Sequence, residues 1–351
     1  MRIGLLLHEN IWFSPYVNLY IKVLKEEEID YDIIYWNKEG LLEGEIPYDY
    51  KFSNDSHNVL KLYGYIKYSR FLRKTIKANG YDKLIVFGPQ VGVFLQSFLK
   101  KRYKNRFIFD YRDLSIESKF PKTFKKMLAI SALNVVSSPG FKRCLPKDFP
   151  YLLSHNVNPK IFDHPNDNIL KRCKDDKIVV LTIGAIRDFE SNKEVIDALG
   201  NDDRFDVRFV GRGPSEEDLK KYVKEMKYSN VTFSGFYKKE DESKYIAEAD
   251  FLNIFYPRKL SHDTALSNRF YNSIFFCKPM ITTKDTIQGD YAKKFCLGVA
   301  VADCSNLPND LLSFYNTRCQ DYMNNRNIVL KTIQKECYQF EEAVRKFIHQ
   351  V

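Results

Sequence analysis

The 351-residue sequence predicts an α/β fold of two Rossmann-like, doubly wound domains facing each other across a cleft. Three observations predict it. Short apolar, β-branched or aromatic runs alternate with helical stretches, the pattern of parallel strands joined by crossover helices. The chain is too long for one ordinary core and suits two. The alternation breaks once, between about 155 and 176, where SHNVNPKIFDHPNDNILKRCKDD is rich in Asn, Asp, Pro and charge and reads as an interdomain linker.

Taken in order, the first-half strands are RIGLLL, YDIIYW, KLIVFG, RFIFDY and LNVVSS, with helices expected at 15–28, 57–79, 90–101 and 118–131. The second half repeats the scheme with KIVVLTIG, FDVRFVG, NVTFSG, DFLNIFY, KPMITT and GVAV, and with helices at 190–199, 214–226 and 240–248. From about 319 the chain is strand-poor and helical. The expected division is therefore residues 1–160, residues 161–318, and C-terminal helices over 319–351 packing along both domains. No repeat or low-complexity tract points to a solenoid or to disorder.

Composition narrows the function. A hydrophobic content of 44% fits a soluble globular protein. Residues 1–165 hold 26 Lys+Arg against 17 Asp+Glu, a net +9 of the whole chain's +10, so the positive charge belongs to the first half. Seven scattered cysteines, an odd number without CxxC or metal-ligand spacing, read as reduced cytosolic thiols. MRIGLLLHEN lacks a signal-peptide core and no apolar run approaches a membrane span, so a cytoplasmic protein is expected. Dinucleotide oxidoreductases, phosphate-loop nucleotidases and serine hydrolases lose their best evidence, because no GxGxxG follows the first strand and no GxxxxGK[ST], GxSxG or HExxH occurs.

Doubly wound sheets bind ligands beyond the carboxyl ends of their strands, so the informative residues lie just after strands. In LTIGAIR these are Gly184 and Arg187, with Lys193 near the next helix start. FVGRGPSEEDL offers Gly211, Arg212 and Gly213, for which a tight turn into a helix at Pro214 is the plainer role. After NVTFSG, Phe236 and Tyr237 could wall a nucleobase or simply pack. In TALSNRFYNSIFFCKPMIT, Asn268 is a good helix N-cap, Phe270, Ile274 and Phe275 share one face, and Pro279 ends the helix. Arg269 then stands beside unpaired N–H groups at the positive end of the dipole, a ready anion site with phosphate the obvious ligand; a capped helix with a solvated arginine is the alternative. In the first half, Asp110, Tyr111, Arg112 and Asp113 end a strand, where a mutual salt bridge competes with substrate positioning. His8 and Glu9 end another, with proton transfer or plain exposure open to His8.

The order of SSPGFKRCLPK, SHNVNPKIF, LTIGAIR, RFVGRGPSEEDLKKYV, NVTFSGFYKKEDESKYIAEADFLNIFY and SNRFYNSIFFCKPMIT resembles the retaining glycosyltransferases of family four, which have the GT-B fold; the nearest pattern is that of bacterial surface-polysaccharide enzymes. The resemblance implies transfer of a sugar, with retention, from a nucleotide-diphosphate donor, uridine-linked, to a glycan or lipid-linked acceptor, without a cofactor or a metal. By position it puts Asn268 and Arg269 on the donor diphosphate, Asn272 where a ribose-binding glutamate is expected, Tyr237 by the base, and Gly184, Gly211 and Ser267 in the donor-binding set. It gives Arg187 and Lys193 the neutralisation of the leaving phosphate and puts His8, Glu9, Arg112 and Asp113 on the acceptor side, so that Arg269, Arg187, Lys193 and Asp113 form the implied catalytic set. Two features depart from the family. Thr264 and Asn272 replace its glutamate pair, and HENIWF replaces its glycine-rich first turn. A noncatalytic glycosyltransferase-like subunit and a nucleotide-sugar epimerase of the same fold therefore stay open.

Between residues 58 and 128, Lys and Arg alternate with Tyr, Phe and Leu. Such segments suit an anionic membrane surface, with the protein peripheral on the inner face of the cell membrane, and no nucleic-acid-binding motif accompanies the charge.

Overall fold

The computed structural model describes residues 1–38, 49–53, 61–157, 162, 176–317 and 320–350. Nearly all of the expected linker, and the first four residues of the helix expected at 57–79, lie outside them. The chain divides into two compact units, Met1–Asn158 with Lys335–Val351, and Pro159–Gln334.

The first unit holds a seven-stranded parallel sheet: β1 (Arg2–Leu6), β2 (Asp30–Asn37), β3 (Tyr50–Ser53), β4 (Lys83–Phe87), β5 (Phe107–Tyr111), β6 (Leu133–Val136) and β7 (Leu152–Leu153), in the spatial order β3-β2-β1-β4-β5-β6-β7. The crossovers include α1 (Val17–Glu26), α2 (Lys61–Asn79), α3 (Pro89–Arg102) and α4 (Pro121–Leu128). β4 and β5 are buried at every position, as strands covered on both faces must be. Edge strand β3, YKFS, and the two-residue β7 were not expected, since neither carries a run of buried apolar residues.

The second unit has a six-stranded parallel sheet of β8 (Ile178–Ile183), β9 (Phe205–Val210), β10 (Val231–Gly235), β11 (Phe251–Ile254), β12 (Met280–Thr283) and β13 (Gly298–Val301), ordered β10-β9-β8-β11-β12-β13. Around it lie α5 (Phe189–Leu199), α6 (Glu216–Glu225), α7 (Glu242–Glu248), α8 (Leu260–Thr264), α9 (Asn268–Phe275), α10 (Ile287–Lys294) and α11 (Leu307–Asn316). In both sheets the chain winds outward in one direction and then restarts beside its first strand in the other. The switch points lie between β1 and β4 and between β8 and β11.

The segment from 320 is one helix, α12 (Gln320–His349), divided between the units. Its last turns put Phe340, Val344, Phe347 and Ile348 into one core with Ile3, Leu5, Tyr20 and Ile108. Lys22 Nζ meets the Glu341 carboxylate at 2.7 Å, and Lys83 Nζ donates to the carbonyls of Phe347, at 2.5 Å, and Ile348, at 2.9 Å.

The basic segments are turned differently from the sequence expectation. On α4, Phe124, Met127 and Leu128 are buried while Lys122, Lys125 and Lys126 face outward, and Lys125 pairs with Asp148 at 2.7 Å. Tyr68 on α2 is also buried. These aromatic neighbours serve the core, while Tyr63 on α2 stays exposed with Lys67 over its ring. No helix among the described residues is long and apolar enough to cross a membrane.

Candidate functional site

At the switch point of the second unit, β8 runs into Gly184, whose φ of +95° lies in the region glycine tolerates best. The loop it opens rests on the GRG turn. A Cβ on Gly211 would lie 1.9 Å from the carbonyl oxygen of Gly184, and one on Gly213 would lie 2.1 Å from that of Ile186. Ile186 N–H also donates to the Arg212 carbonyl at 3.1 Å. Gly211 therefore works by letting two backbones touch, and it does not line the cavity described next; the helix after the turn begins at Glu216 instead of Pro214.

The start of α9 differs from expectation in two ways. Ser267 is the N-cap, its hydroxyl accepting from Phe270 N–H at 3.2 Å, and Asn268 is the exposed first helical residue. Arg269 is buried, not solvated: Nε donates to the Ile183 carbonyl at 2.6 Å, Nη1 to that of Asn253 at 3.1 Å and Nη2 to that of Ala185 at 3.0 Å. Carbonyls at the ends of β8 and β11 have no further strand to pair with, and the guanidinium satisfies them while stacking over Tyr256, 5.6 Å from the ring centre. Two of its five N–H groups take no partner among the described residues. The helix stops at Phe275 because Cys277 turns to φ +55° and Lys278 N–H returns to the Ser273 carbonyl at 2.9 Å, before Pro279 is reached.

These elements enclose a cavity of about 410 Å³. Gly184, Arg187, Tyr237, Ser267, Asn268, Arg269 and Asn272, all singled out in the sequence, line it together. The Arg187 side chain is exposed and takes no hydrogen-bond or ion-pair partner among the described residues, while Asp188 beside it pairs with Lys259 at 3.1 Å. Tyr237 donates to Glu242 at 3.0 Å, and burial followed by that carboxylate pushes its pKa up to about 12, so it stays a neutral donor. The Asn272 side chain has no partner among the described residues. Lys193 does not line the cavity: it extends along α5 to Asp197 at 2.6 Å and over the Tyr222 ring. Phe236 is 71% exposed and lies outside too.

Among the lining residues that escaped the sequence reading, three hold or face its polar groups. Glu242 holds Tyr237. His262 donates from Nδ1 to the Pro257 carbonyl at 3.1 Å, leaving Nε2 over, and packs 5.3 Å from Tyr256. Gln288, on α10, holds Ser267. No motif marks them, because each depends on a partner brought in by the fold. A larger cavity of about 660 Å³ in the same unit, lined by Lys284, Asp290, Cys296 and Phe314, contains none of the strand-end residues singled out in the sequence. The smaller one has the convergent polar groups and the switch-point position of a ligand site.

At the corresponding strand ends of the first unit the buried arginine is paired internally. Arg112 is buried, with Nε and Nη2 on the two Asp110 oxygens at 2.6 and 2.7 Å, Nη1 on the Ser154 carbonyl and Nη2 also on the Ser154 hydroxyl, each at 2.9 Å. Tyr20 also donates to Asp110 at 2.6 Å, and Arg112 lies over the Tyr16 ring. The salt bridge is thus the role Arg112 fills. His8 is neither exposed nor basic: burial, and secondarily Lys38, lowers its pKa to about 3, and its Nδ1 is sealed without a partner beside Gly88. Glu9 accepts from the Ser14 hydroxyl at 3.2 Å. Asp113 is exposed and has no partner among the described residues.

No family model matches the sequence, and no curated protein matches it. Solved structures do. A sucrose-phosphate synthase from Thermosynechococcus elongatus is 13% identical with a TM-score of 0.72 over all of both chains. The fold is GT-B. Anabaena HepE, solved with UDP, is 14% identical with a TM-score of 0.68, over 99% of this chain and 100% of that one. The lipopolysaccharide outer core galactosyltransferase WaaB is 15% identical with a TM-score of 0.66, over 99% of each. A Listeria monocytogenes protein assigned as a UDP-N-acetylglucosamine 2-epimerase also shares the fold, at 10% identity and a TM-score of 0.63 over 99% of this chain and 97% of that one. At these identities the likeness establishes the fold alone.

Proposed function

We propose that the chain is a glycosyltransferase that moves a sugar from a nucleoside diphosphate carrier, uridine-linked, to a glycan or lipid-linked acceptor in bacterial surface-polysaccharide assembly, with retention of configuration. One observation carries the reading: the switch-point cavity joins the N-terminus of α9, the unpaired Arg187 and the spare donors of Arg269. As the bond from the anomeric carbon to the diphosphate breaks, negative charge gathers on the departing phosphate oxygen. Fixed N–H groups and the Arg269 guanidinium, held by three carbonyls, stabilise that charge without rearranging, and the exposed Arg187 guanidinium adds a second cation. Asn272 faces the ribose, Tyr237 the base, and Asp113 the acceptor. No cofactor or metal enters this chemistry.

The basic surface of α2, α3 and α4 holds the enzyme to the cytoplasmic face of an anionic membrane, where a lipid-linked acceptor resides. Sedimentation with anionic vesicles but not neutral ones, reversed by salt, is expected; equal sedimentation with both, or with neither, rejects the membrane partner.

A panel of nucleotide sugars tests the main reading. A uridine diphosphate sugar should raise the melting temperature, and slow donor hydrolysis without acceptor should follow. A second reading, a noncatalytic subunit, draws support from Thr264, whose hydroxyl is committed to the Leu260 carbonyl at 2.7 Å, and from uncharged Asn272. Binding without turnover of any donor would favour it, and epimer formation would favour the epimerase.

A further inference from the structure

We propose that Gln288 is a ligand-binding residue whose amide N–H groups hold the phosphate oxygens of the bound donor. The inference rests on the reading of the cavity as a nucleotide-sugar site and adds a residue that neither the motifs nor the resemblance singled out.

The orientation of this amide is settled by its neighbours. Its Oε1 lies 3.0 Å from Ser267 N and 2.7 Å from Ser267 Oγ. A backbone N–H can only donate, so the atom facing it must be the amide oxygen. The Ser267 hydroxyl accepts from Phe270 N–H and gives its own proton to the same oxygen. Both contacts fix which way the amide faces, and Nε2 must carry its two hydrogens away from Ser267.

Gln288 is only 3% exposed, yet Nε2 has no partner among the described residues. Nor is it among the sealed side-chain atoms that lack one, so it opens on the cavity that Gln288 lines. A buried amide left with two unspent donors is costly unless something accepts from them. Its position beside the cap of α9 decides what that acceptor is: the residues carrying the free helical N–H groups, the spare Arg269 donors and the Gln288 amide line one cavity, and an oxyanion suits such donors together. A nucleobase or sugar hydroxyl would need acceptors as well as donors there.

Gln288→Glu is the discriminating variant. A carboxylate still accepts from Ser267 N–H and hydroxyl, so the start of α9 survives, and only the group facing the ligand changes from two donors to an acceptor. Thermal shift and calorimetry with inorganic pyrophosphate, UDP and uridine are the measurements. We expect Gln288→Glu to keep the wild-type melting temperature within about 2 °C and to lose at least about tenfold in affinity for both pyrophosphate and UDP, with uridine unchanged. Unchanged UDP and pyrophosphate affinity in a folded Gln288→Glu protein overturns the inference while leaving the nucleotide-sugar reading intact. Equal losses for UDP and uridine also overturn it, since they mean contact with the nucleoside. Wild-type protein that binds pyrophosphate but not UDP defeats the nucleotide reading alone, and binding of neither defeats both.

Discussion

The two sheets share one winding order, yet their strand ends are furnished in opposite ways. Beyond β5 the polar groups are spent on each other: Asp110, Arg112, Ser154 and Tyr20 close a buried network, and His8 is held neutral nearby. Beyond β8 and β11 only part of the hydrogen-bonding capacity is spent. Arg269 caps three carbonyls and keeps two N–H groups, while the side chains of Arg187 and Asn272 take no partner among the described residues. The topology provides two equivalent places for a ligand, and the side-chain pairing decides which is built around an anion. An arginine after a strand is not evidence of function until its partners are known.

That contrast breaks first at Arg112. Arg112→Ala leaves the Asp110 carboxylate buried without its cation and should cost about 4 kcal/mol by urea denaturation, with UDP affinity of the folded fraction unchanged. A loss of UDP affinity at full stability would reverse the assignment of the two arginines. Arg269→Ala belongs to both categories: about 3 kcal/mol of stability from three abandoned carbonyls, together with weaker UDP binding.

His8 sharpens the comparison through pH. Its folded pKa of about 3 lies below the ordinary 6.5, so the unfolded chain takes up the proton first. Stability should be whole above pH 6.5 and fall as pH drops toward 3, by about 2 kcal/mol between pH 7.5 and 5. Measured in matched urea titrations, this component should vanish in His8→Gln. Arg187→Ala should leave stability within about 0.5 kcal/mol and weaken UDP binding by about 2 kcal/mol, the reverse of Arg112→Ala. The smallest effect is expected of Asn272→Glu, which should hold or improve UDP affinity by up to about 1 kcal/mol in calorimetry if that position faces the ribose.

The sequence made the sheets legible because buried parallel strands are near-continuous apolar runs, and KIVVLTIG or RFIFDY can be little else. It did not reveal β3, whose YKFS alternates half-buried and exposed positions at a sheet edge. At α9 the cap was expected at Asn268 and falls one residue earlier at Ser267, because serine and asparagine cap equally well and spacing alone does not separate neighbours. The burial of Arg269 was hidden for a different reason. The carbonyls it serves at Ile183 and Ala185 are more than eighty residues away along the chain, so neither its cap-side position nor its neighbours carry the information. Gln288 was silent in the same way, since an amide becomes informative only when one of its ends is occupied.

The division of α12 between the units has a consequence for biosynthesis. The core of the first unit includes Phe340, Val344, Phe347 and Ile348, which leave the ribosome only after all of Pro159–Gln334. At ~5–20 residues per second that delay is roughly 9–35 s, long enough for the second unit to fold while the first still exposes Ile3, Leu5 and Tyr20. A chain released before Lys335 should therefore remain protease-sensitive over residues 1–158 while Pro159–Gln334 resists digestion.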